Sequence, residues 1–388
     1  MSSRHHAIVV GLGAFGSAAL DALSARGVRA LGLDRFDPPH TLGSSHGRTR
    51  IIREAYFEDP FYVPLVRRAY TGWEALEADA AESLLHRCGG LMVGREGGPL
   101  VSGTLASVLE HAIPHQLLDS SELNRRLLAL RPPDDHVGVL EERAGVLRVE
   151  PCIRALLDRA RERGAELRTG ERVTAWESHD GGVTVVTDRD TYQAETLVLA
   201  AGPWIGGLLT PEAAARLRVE RQVCLWIDAD LPDRWPVVVW EPDDDRILYT
   251  IPDLGDGFKA GLHHGGPETD PDQVERGVTQ SEEERILTLL ARLMPRAKPP
   301  ILNRSVCLYT NTPDHHFMLG RHPDHPRVLL AGGGSGHGFK FAPVIGEMVA
   351  RLALDDDDEP VSPAASGLDI PTAFAPARLL DPSPDPAQ

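Results

Sequence analysis

The sequence lacks the apolar segments that mark membrane and secreted proteins. No stretch of about 18 consecutive apolar residues occurs, which is what a membrane-spanning helix requires. The apolar run before Gly11 is only four residues long, which is too short for the core of a signal peptide. These absences predict a soluble, cytoplasmic protein.

Cysteine is also scarce, and its spacing excludes two common kinds of site. The four cysteines, Cys88, Cys152, Cys224 and Cys307, form no CxxC pair, so the sequence predicts neither a zinc ribbon nor a dithiol redox motif. Sixteen histidines include adjacent pairs, but no spacing among them is typical of a metal centre. We therefore predict no bound metal.

Runs of basic residues are absent as well. Forty Lys and Arg stand against 57 Asp and Glu, which gives a formal net charge of -17. A polyanion is repelled by such a chain unless a local basic patch exists, so we expect no nucleic-acid partner. At 388 residues the chain is long enough for two or three domains and a ligand cleft.

The first 34 residues carry a dinucleotide-binding pattern. The predicted elements are a strand over 7–10, a helix over 14–26 and a second strand over 29–34. Gly11, Gly13 and Gly16 form a GxGxxG turn between the first strand and the helix, and Asp34 ends the second strand. Such glycines let a pyrophosphate approach the helix N-terminus, and the carboxylate accepts ribose hydroxyls. A purely structural glycine turn is the alternative, and nicotinamide and flavin cofactors share the pattern.

Two later glycine-rich segments fit the same cleft. The polar loop over 37–53 is interpreted either as a solvated surface loop or as a cradle for phosphates or a flavin edge. Near residue 331 a buried strand runs into a glycine-rich loop and then an apolar helix, whose positive N-terminal end points at the ligand. A strand that ends at Gly202 also lets the backbone approach a ligand closely at the carboxyl edge of the sheet. After five acids over 355–359, we expect a Pro-rich tail to wrap the surface or fray.

Alternating strands and one helix near 281–294 dominate residues 218–320, which indicates a second, mixed β-rich domain. The predicted fold class is therefore α/β, with a Rossmann-like cofactor-binding domain and an inserted mixed β-sheet substrate domain. The first domain takes residues 1–86, 145–217 and 321–388, and the second takes 87–144 and 218–320.

Four separated blocks resemble one known family. They are LDRFDPPHTLGSSHGRTRIIREAY, FKAGLHH, SVCLYTNTPDHHFMLG and GSGHGFKFAP. The chain is similar to the monomeric sarcosine oxidase and N-methyltryptophan oxidase group of FAD-dependent amine oxidases, within the D-amino-acid-oxidase-like fold. The similarity extends from Gly11 to about Leu354. It implies bound FAD, an amino-acid substrate, O2 as the electron acceptor and a monomer.

Cys307 is the most informative single position under this resemblance. On its own, a cysteine in an apolar strand is more often a small buried hydrophobe. The resemblance instead implies a thioether between Cys307 and the 8α-methyl carbon of FAD. The other cysteines match no such position.

The resemblance also assigns cationic roles. Without the resemblance, a lysine on a strand is more often solvated than functional, although Lys259 shares a strand face with Gly261 and His263. The family comparison implies that Lys259 activates O2, because a fixed cation stabilises developing superoxide. It further implies that Arg53 and Lys340 bind the substrate carboxylate, one as a planar fork and one as a point charge.

Further site residues follow from the same resemblance. Those expected to line the flavin and substrate cavity, with catalytic roles, are Arg50, Tyr249 and His263. Tyr309 and Trp240 are expected to contact substrate. The remaining expected cofactor contacts are Ser44, Ser45, Thr49, Gly202, Gly336, His337 and Gly338, with Lys340 and Arg50 also near the flavin. The loop departs from the family at Ser45 and Arg48, and Trp240 replaces a smaller side chain.

The predicted activity is oxidation of the C–N bond of an N-methyl or cyclic secondary amino acid to an imine, with O2 reduced to H2O2. Three alternatives remain open. They are a biosynthetic pipecolate or imine-type oxidase of the same family, a dehydrogenase that uses another electron acceptor, and a flavoprotein without turnover.

Overall fold

A computed structural model describes residues 4–229, 231–232, 235–242, 246–295, 297, 300–354 and 369–380. The strands are β1 (His5–Val10), β2 (Ala30–Leu33), β3 (Thr49–Ile52), β4 (Leu85–Arg87), β5 (Gly90–Arg95), β6 (Gln116–Asp119), β7 (His136–Glu141), β8 (Gly145–Arg148), β9 (Glu166–Arg168), β10 (Val173–His179), β11 (Gly182–Thr187), β12 (Thr191–Leu199), β13 (Arg218–Ile227), β14 (Val237–Trp240), β15 (Ile247–Ile251), β16 (Phe258–His263), β17 (Ile301–Asn311), β18 (Met318–Arg321) and β19 (Val328–Gly332). The helices are α1 (Ala14–Ser24), α2 (Tyr62–Asp79), α3 (Pro99–Glu110), α4 (Ser120–Arg126), α5 (Val149–Glu162), α6 (Pro211–Ala214), α7 (Gln280–Leu293), α8 (Ala342–Leu354) and α9 (Ala377–Leu380).

The first sheet has the order β10-β11-β12-β1-β2-β9, with β19 beside β12 and β18 beside β19. Its centre is parallel, because β1 pairs in parallel with both β2 and β12, and β12 pairs in parallel with β19. Strand β1 is short, β-branched and almost entirely buried, as expected of a strand covered on both faces. The sequence prediction of a βαβ opening is confirmed.

The second sheet has the order β17-β13-β16-β15-β14-β5-β7-β6. Its neighbours are antiparallel except for the parallel pair β14 and β5. One face packs on α7 through Ile286, Leu289, Leu290 and Leu293. Helix α7 begins with a capping box between Thr279 and Glu282, which fixes its start one residue before the predicted position. A small third sheet, β3-β8-β4, connects the two parts.

The predicted α/β class with a Rossmann-like domain and an inserted mixed sheet is confirmed. The acidic run over 355–359 and most of the predicted tail lie outside the described residues. In the described part of the tail, Phe374 and Leu379 are buried. Arg378 Nε donates to Asp314 Oδ2 at 2.7 Å, and Arg378 Nη2 donates to Asp314 Oδ1 at 3.0 Å. This segment therefore wraps the surface. No helix among the described residues is both long enough and apolar enough to cross a membrane.

Candidate functional site

A cavity of about 460 Å³ lies at the carboxyl ends of the parallel strands. Gly11 and Gly13 line it, and Gly11 has φ +88°, a conformation that side-chain-bearing residues seldom adopt. A Cβ added at Gly11 would lie 2.6 Å from the Ala200 oxygen, and one added at Gly16 would lie 1.7 Å from the Gly11 oxygen. Gly11 and Gly16 are therefore required by the close approach of strand, turn and helix.

Asp34 lies at the same end of the cavity with its carboxylate fixed by backbone donors. Its Oδ2 accepts a hydrogen bond from Leu12 N at 2.7 Å, and its Oδ1 accepts one from Phe36 N at 2.8 Å. Burial raises the pKa of Asp34. The N-cap residue of α1 is Gly13, which has no side chain to cap the helix, and the positive end of the helix points at the cavity that Gly13 and Ala14 line. This donor and acceptor set fits the pyrophosphate and ribose of a dinucleotide.

The other expected cofactor contacts mostly surround this cavity. Ser45 Oγ accepts a hydrogen bond from Ala14 N at 3.0 Å, which ties the 43–53 loop to the start of α1. The loop is therefore not a solvated surface loop. The remaining expected residues that line the large cavity are Ser44, Arg50, Gly202, Tyr309, Gly336 and Gly338, and Thr310 lines it as well.

A second cavity of about 90 Å³ adjoins the first, and Arg50, Tyr309 and Gly336 line both. The expected residues that line the small cavity only are Thr49, Arg53, Tyr249, Lys259, His263, Cys307, His337 and Lys340. The small cavity is thus where cationic side chains from β3, β16 and the 336–341 segment meet.

Arg50 and Cys307 meet at the junction of the two cavities. Arg50 is half-buried, and its Nη2 donates to Ser44 O at 2.8 Å and to Cys307 Sγ at 3.1 Å. Cys307 is 6% exposed. The sulfur therefore faces the place where the large cavity ends and the small one begins, with a guanidinium beside it.

Lys259 is almost fully buried, although a lysine on a strand is usually solvated. Its Nζ donates to Gly47 O at 2.8 Å and Thr49 O at 3.1 Å and lies 5.0 Å from the centre of the Trp226 ring. Burial lowers the pKa of Lys259 to about 8. The ammonium is therefore fixed in a site with little water, where its charge is weakly screened and interacts strongly with nearby groups.

His263 lies on the face of β16 that Lys259 occupies, as the period of a strand predicts. Burial holds the pKa of His263 well below its usual value, with further lowering by His264, so the ring is neutral. The Oη of Tyr309 lies 3.5 Å from His263 Nδ1. Tyr249, on the neighbouring strand, packs its ring against Gly261. These side chains make a neutral wall beside the cations.

Arg53 is bound to a carboxylate that the sequence analysis missed. Its Nη2 donates to both oxygens of Glu58, at 2.9 and 2.7 Å, and its Nη1 donates to Ala55 O at 2.6 Å. Arg53 lowers the pKa of Glu58 despite burial, so the pair is charged. Glu58 lies only five residues after Arg53, but a separation of five residues within a loop does not predict a contact between two side chains.

Lys340 belongs to a buried hydrogen-bond network. Its Nζ donates to His337 O at 2.8 Å and to Tyr56 Oη at 3.4 Å. His337 Nε2 donates to the His315 carbonyl oxygen at 3.1 Å. Its Nδ1 therefore accepts the hydrogen bond from the Tyr56 hydroxyl, with 2.6 Å between Nδ1 and Oη. Burial and the nearby Arg53 lower the pKa of Lys340 to about 7. Tyr56 is thus a second site residue that the sequence analysis did not identify.

Trp240 does not contact either cavity, and its expected substrate role is wrong. Side chains alternate along β14, so Val239 lines the small cavity while Trp240 lies on the opposite face. There it packs within the core beneath α7, with Arg292 5.4 Å from its ring centre. The structure brings the other expected site residues together.

Among the described residues, no group of three or more His, Cys, Asp or Glu side chains is arranged to hold a metal ion. The polar groups around the large cavity are instead backbone amides, hydroxyls, carboxylates and guanidiniums, a set of donors and acceptors that suits a dinucleotide.

Comparison with known proteins agrees with this geometry. The FAD dependent oxidoreductase family (DAO) matches residues 6–352. The chain is 41% identical to monomeric sarcosine oxidase of Streptomyces avermitilis over 364 residues, covering 91% of this chain and 94% of that protein. It is 34% identical to N-methyl-L-tryptophan oxidase of Yersinia pestis, covering 93% and 98%.

Among solved structures, the open form of NikD, an unusual amino acid oxidase essential for nikkomycin biosynthesis, superposes with a TM-score of 0.83. The two chains are 26% identical, and the superposition covers 97% of this chain and 98% of NikD. These similarities confirm the resemblance inferred from the four sequence blocks. The chain belongs to the DAO family of FAD dependent oxidoreductases.

Proposed function

We propose that this protein is an FAD-dependent oxidase of secondary amino acids, with N-methyl and cyclic amino acids as its substrate class. It oxidises the substrate C–N bond to an imine, which water hydrolyses, and passes the two electrons to O2 to give H2O2. The observation that carries the proposal is the small cavity, where Arg53, Lys340 and Lys259 bring three cations beside the FAD cleft. The names of its relatives, sarcosine and N-methyl-L-tryptophan oxidase, support the same substrate class.

The substrate carboxylate binds between Arg53 and Lys340. A planar guanidinium and a point charge together compensate a buried anion, because each gives a charge-assisted hydrogen bond. Arg53 Nη2 donates to both oxygens of Glu58, so the incoming carboxylate replaces or shares that partner. Lys340 has a pKa of about 7, so an anion beside it favours its charged form.

The amine end lies against the neutral wall of His263, Tyr249 and Tyr309. Because His263 is neutral, the wall does not repel the substrate ammonium as it binds, and burial against an uncharged wall disfavours the ammonium relative to the neutral amine that is oxidised. FAD, when bound, supplies the two-electron acceptor for the C–N bond. On the electron-transfer side, Lys259 provides a fixed positive charge where O2 gains its first electron, since superoxide is an anion.

We further propose that FAD is held covalently through Cys307. The sulfur is buried at the junction of the two cavities, and Arg50 Nη2 lies 3.1 Å from it. A guanidinium at that distance stabilises negative charge that develops on sulfur during bond formation. The C–S bond would replace the thiol S–H bond and one C–H bond of the 8α-methyl group; the two electrons and two protons released would reduce FAD, which O2 would reoxidise with formation of H2O2.

The test of the function is a substrate panel read by peroxide release. N-Methyl amino acids, cyclic secondary amino acids, primary amino acids and amines without a carboxylate are compared at equal concentration. We expect the first two groups to release H2O2 with consumption of O2. Substrate-dependent reduction of the enzyme without O2 consumption would indicate a dehydrogenase and overturn the oxidase assignment.

A further inference from the structure

The turn that holds Lys259 has an unusual backbone. Gly47 has φ +84° and Arg48 has φ +67°, so two consecutive residues lie in the left-handed region and the second is not glycine. Thr49 N donates to Gly47 O at 2.7 Å, which makes Arg48 the centre of a γ-turn with positive φ. This form of turn is rare and strained, and such strain persists only where surrounding contacts impose it.

Glu150, about 100 residues later in the chain, supplies those contacts. Its Oε1 accepts hydrogen bonds from Gly47 N at 2.9 Å and Arg48 N at 3.1 Å. Glu150 lies in the first turn of α5, whose first N–H, that of Val149, donates to Arg48 O at 2.9 Å. The turn is therefore hydrogen-bonded to the start of α5 both through its amide donors, at Gly47 and Arg48, and through the carbonyl oxygen of Arg48.

The same turn presents the two acceptors of Lys259. Nζ donates to Gly47 O and Thr49 O, which are the carbonyls on either side of the strained residue. If the turn relaxed, these two oxygens would no longer point at one position, because the γ-turn sets their relative direction. Among the described contacts Glu150 makes no hydrogen bond to Lys259, so its effect on the position of the ammonium passes through the turn, while its charge also acts on the ammonium directly.

We propose that Glu150 is a positioning residue for Lys259: by holding the 47–49 turn, it fixes the Lys259 ammonium where O2 is reduced. The inference rests on the proposed function, because it takes the O2 role of Lys259 as given. The titratable groups that act on the ammonium include Glu150, Arg50, Cys224, Cys307 and His46. Glu150 favours the charged ammonium, and Arg50 opposes it.

The test separates the two half-reactions in rapid mixing. Wild type, Glu150→Ala, Glu150→Gln and Lys259→Met are each reduced by substrate without O2 and then, separately, reoxidised by O2. We expect Glu150→Ala to slow reoxidation by about tenfold or more, since small misplacements of a catalytic group have effects of that size. Reduction by substrate should change by less than about threefold.

The pH profile and hydrogen exchange add readouts that a general structural effect would not give. Reoxidation by wild type should slow as pH rises through about 8, where Lys259 loses its proton. Glu150→Gln keeps an acceptor oxygen but removes the charge, so this decline should move to lower pH. In Glu150→Ala, amide exchange should rise in the peptide that covers 45–52.

Glu77 offers a matched control, because its Oε1 also accepts two consecutive backbone amides, Leu84 N at 2.7 Å and Leu85 N at 2.9 Å. Glu77→Ala should raise exchange near 84–85 and leave reoxidation at the wild-type rate. Equal loss of both half-reactions in Glu150→Ala, or wild-type reoxidation, overturns the proposal. If that variant does not fold, Glu150→Asp takes its place, because the shorter side chain keeps the charge but moves its oxygens away from Gly47 N and Arg48 N; wild-type reoxidation in Glu150→Asp then overturns the proposal. Rapid reoxidation of Lys259→Met would instead overturn the O2 role itself.

Discussion

At the scale of single residues, Cys307 is distinguished from the other buried cysteines by its surroundings. Cys224 lies on the neighbouring strand and has no arginine nitrogen within hydrogen-bond distance among the described contacts, whereas Cys307 Sγ accepts from Arg50. We predict that acid-denatured protein run on a gel retains yellow fluorescence, that Cys307→Ser abolishes it and that Cys224→Ser does not. Release of all flavin from the denatured wild type would rule out the covalent bond.

Arg53 and Lys340 are predicted to bind the substrate carboxylate. Removing one member of a desolvated charge pair typically costs ~2 to 5 kcal/mol, so Arg53→Met and Lys340→Met should each weaken binding by roughly 30-fold or more. The measurement is spectral titration of the bound flavin with a simple carboxylate inhibitor. Unchanged affinity in both variants would place the carboxylate elsewhere.

The pKa of Lys340, about 7, predicts the pH dependence of this affinity. The protonated form binds an anion better, so the inhibitor Kd should rise as pH increases above 7, by at most about tenfold per pH unit. Lys340→Met should bind weakly without this rise. Glu58→Gln serves as the control, because it removes the competing carboxylate from Arg53 and should bind inhibitor at least as tightly as wild type.

At the scale of elements, strand β14 separates a cavity face from a core face. Trp240→Ala should destabilise the protein by about 3 to 5 kcal/mol, because it leaves a void beneath α7. The KM of Trp240→Phe, which keeps most of the packing, should equal that of wild type. Val239→Ala, on the cavity face, should change KM instead. Denaturant unfolding and steady-state kinetics measure the two effects, and a KM change confined to Trp240→Phe would contradict the assigned faces.

The elements were predictable where local signals agree. The βαβ opening and α7 follow from periodicity, caps and glycines, so their predicted bounds differ from the observed ones by only one or two residues. Trp240 was misplaced because a buried strand gives no sign of which face meets the cavity. Glu58 and Glu150 were missed because their partners are set by loop conformation and by tertiary packing, which one sequence does not reveal.

At the scale of the whole molecule, the FAD cavity is lined by residues of both sheets. Asp34 directly follows β2 of the first sheet, while Leu308 and Thr310 lie on β17 of the second sheet. A ligand bound there stabilises the folded protein, and therefore both sheets together, by about 2.7 kcal/mol when the free ligand concentration is 100 times its Kd. In Cys307→Ser, we therefore expect the Tm to rise with added FAD, whereas the Tm of flavinylated wild type should not respond. Independence of Tm from FAD in the variant would contradict a cavity shared by both sheets.

The two buried ammonium groups have a practical consequence for labelling. The chain has 37 arginines but only three lysines, and two of them, Lys259 and Lys340, lie in the small cavity. The third, Lys298, lies outside the described residues. Protein produced with lysine labelled with ¹³C at Cε would therefore give an NMR spectrum with only three lysine Cε signals. Two of these signals would report directly on ligand binding in the cavity.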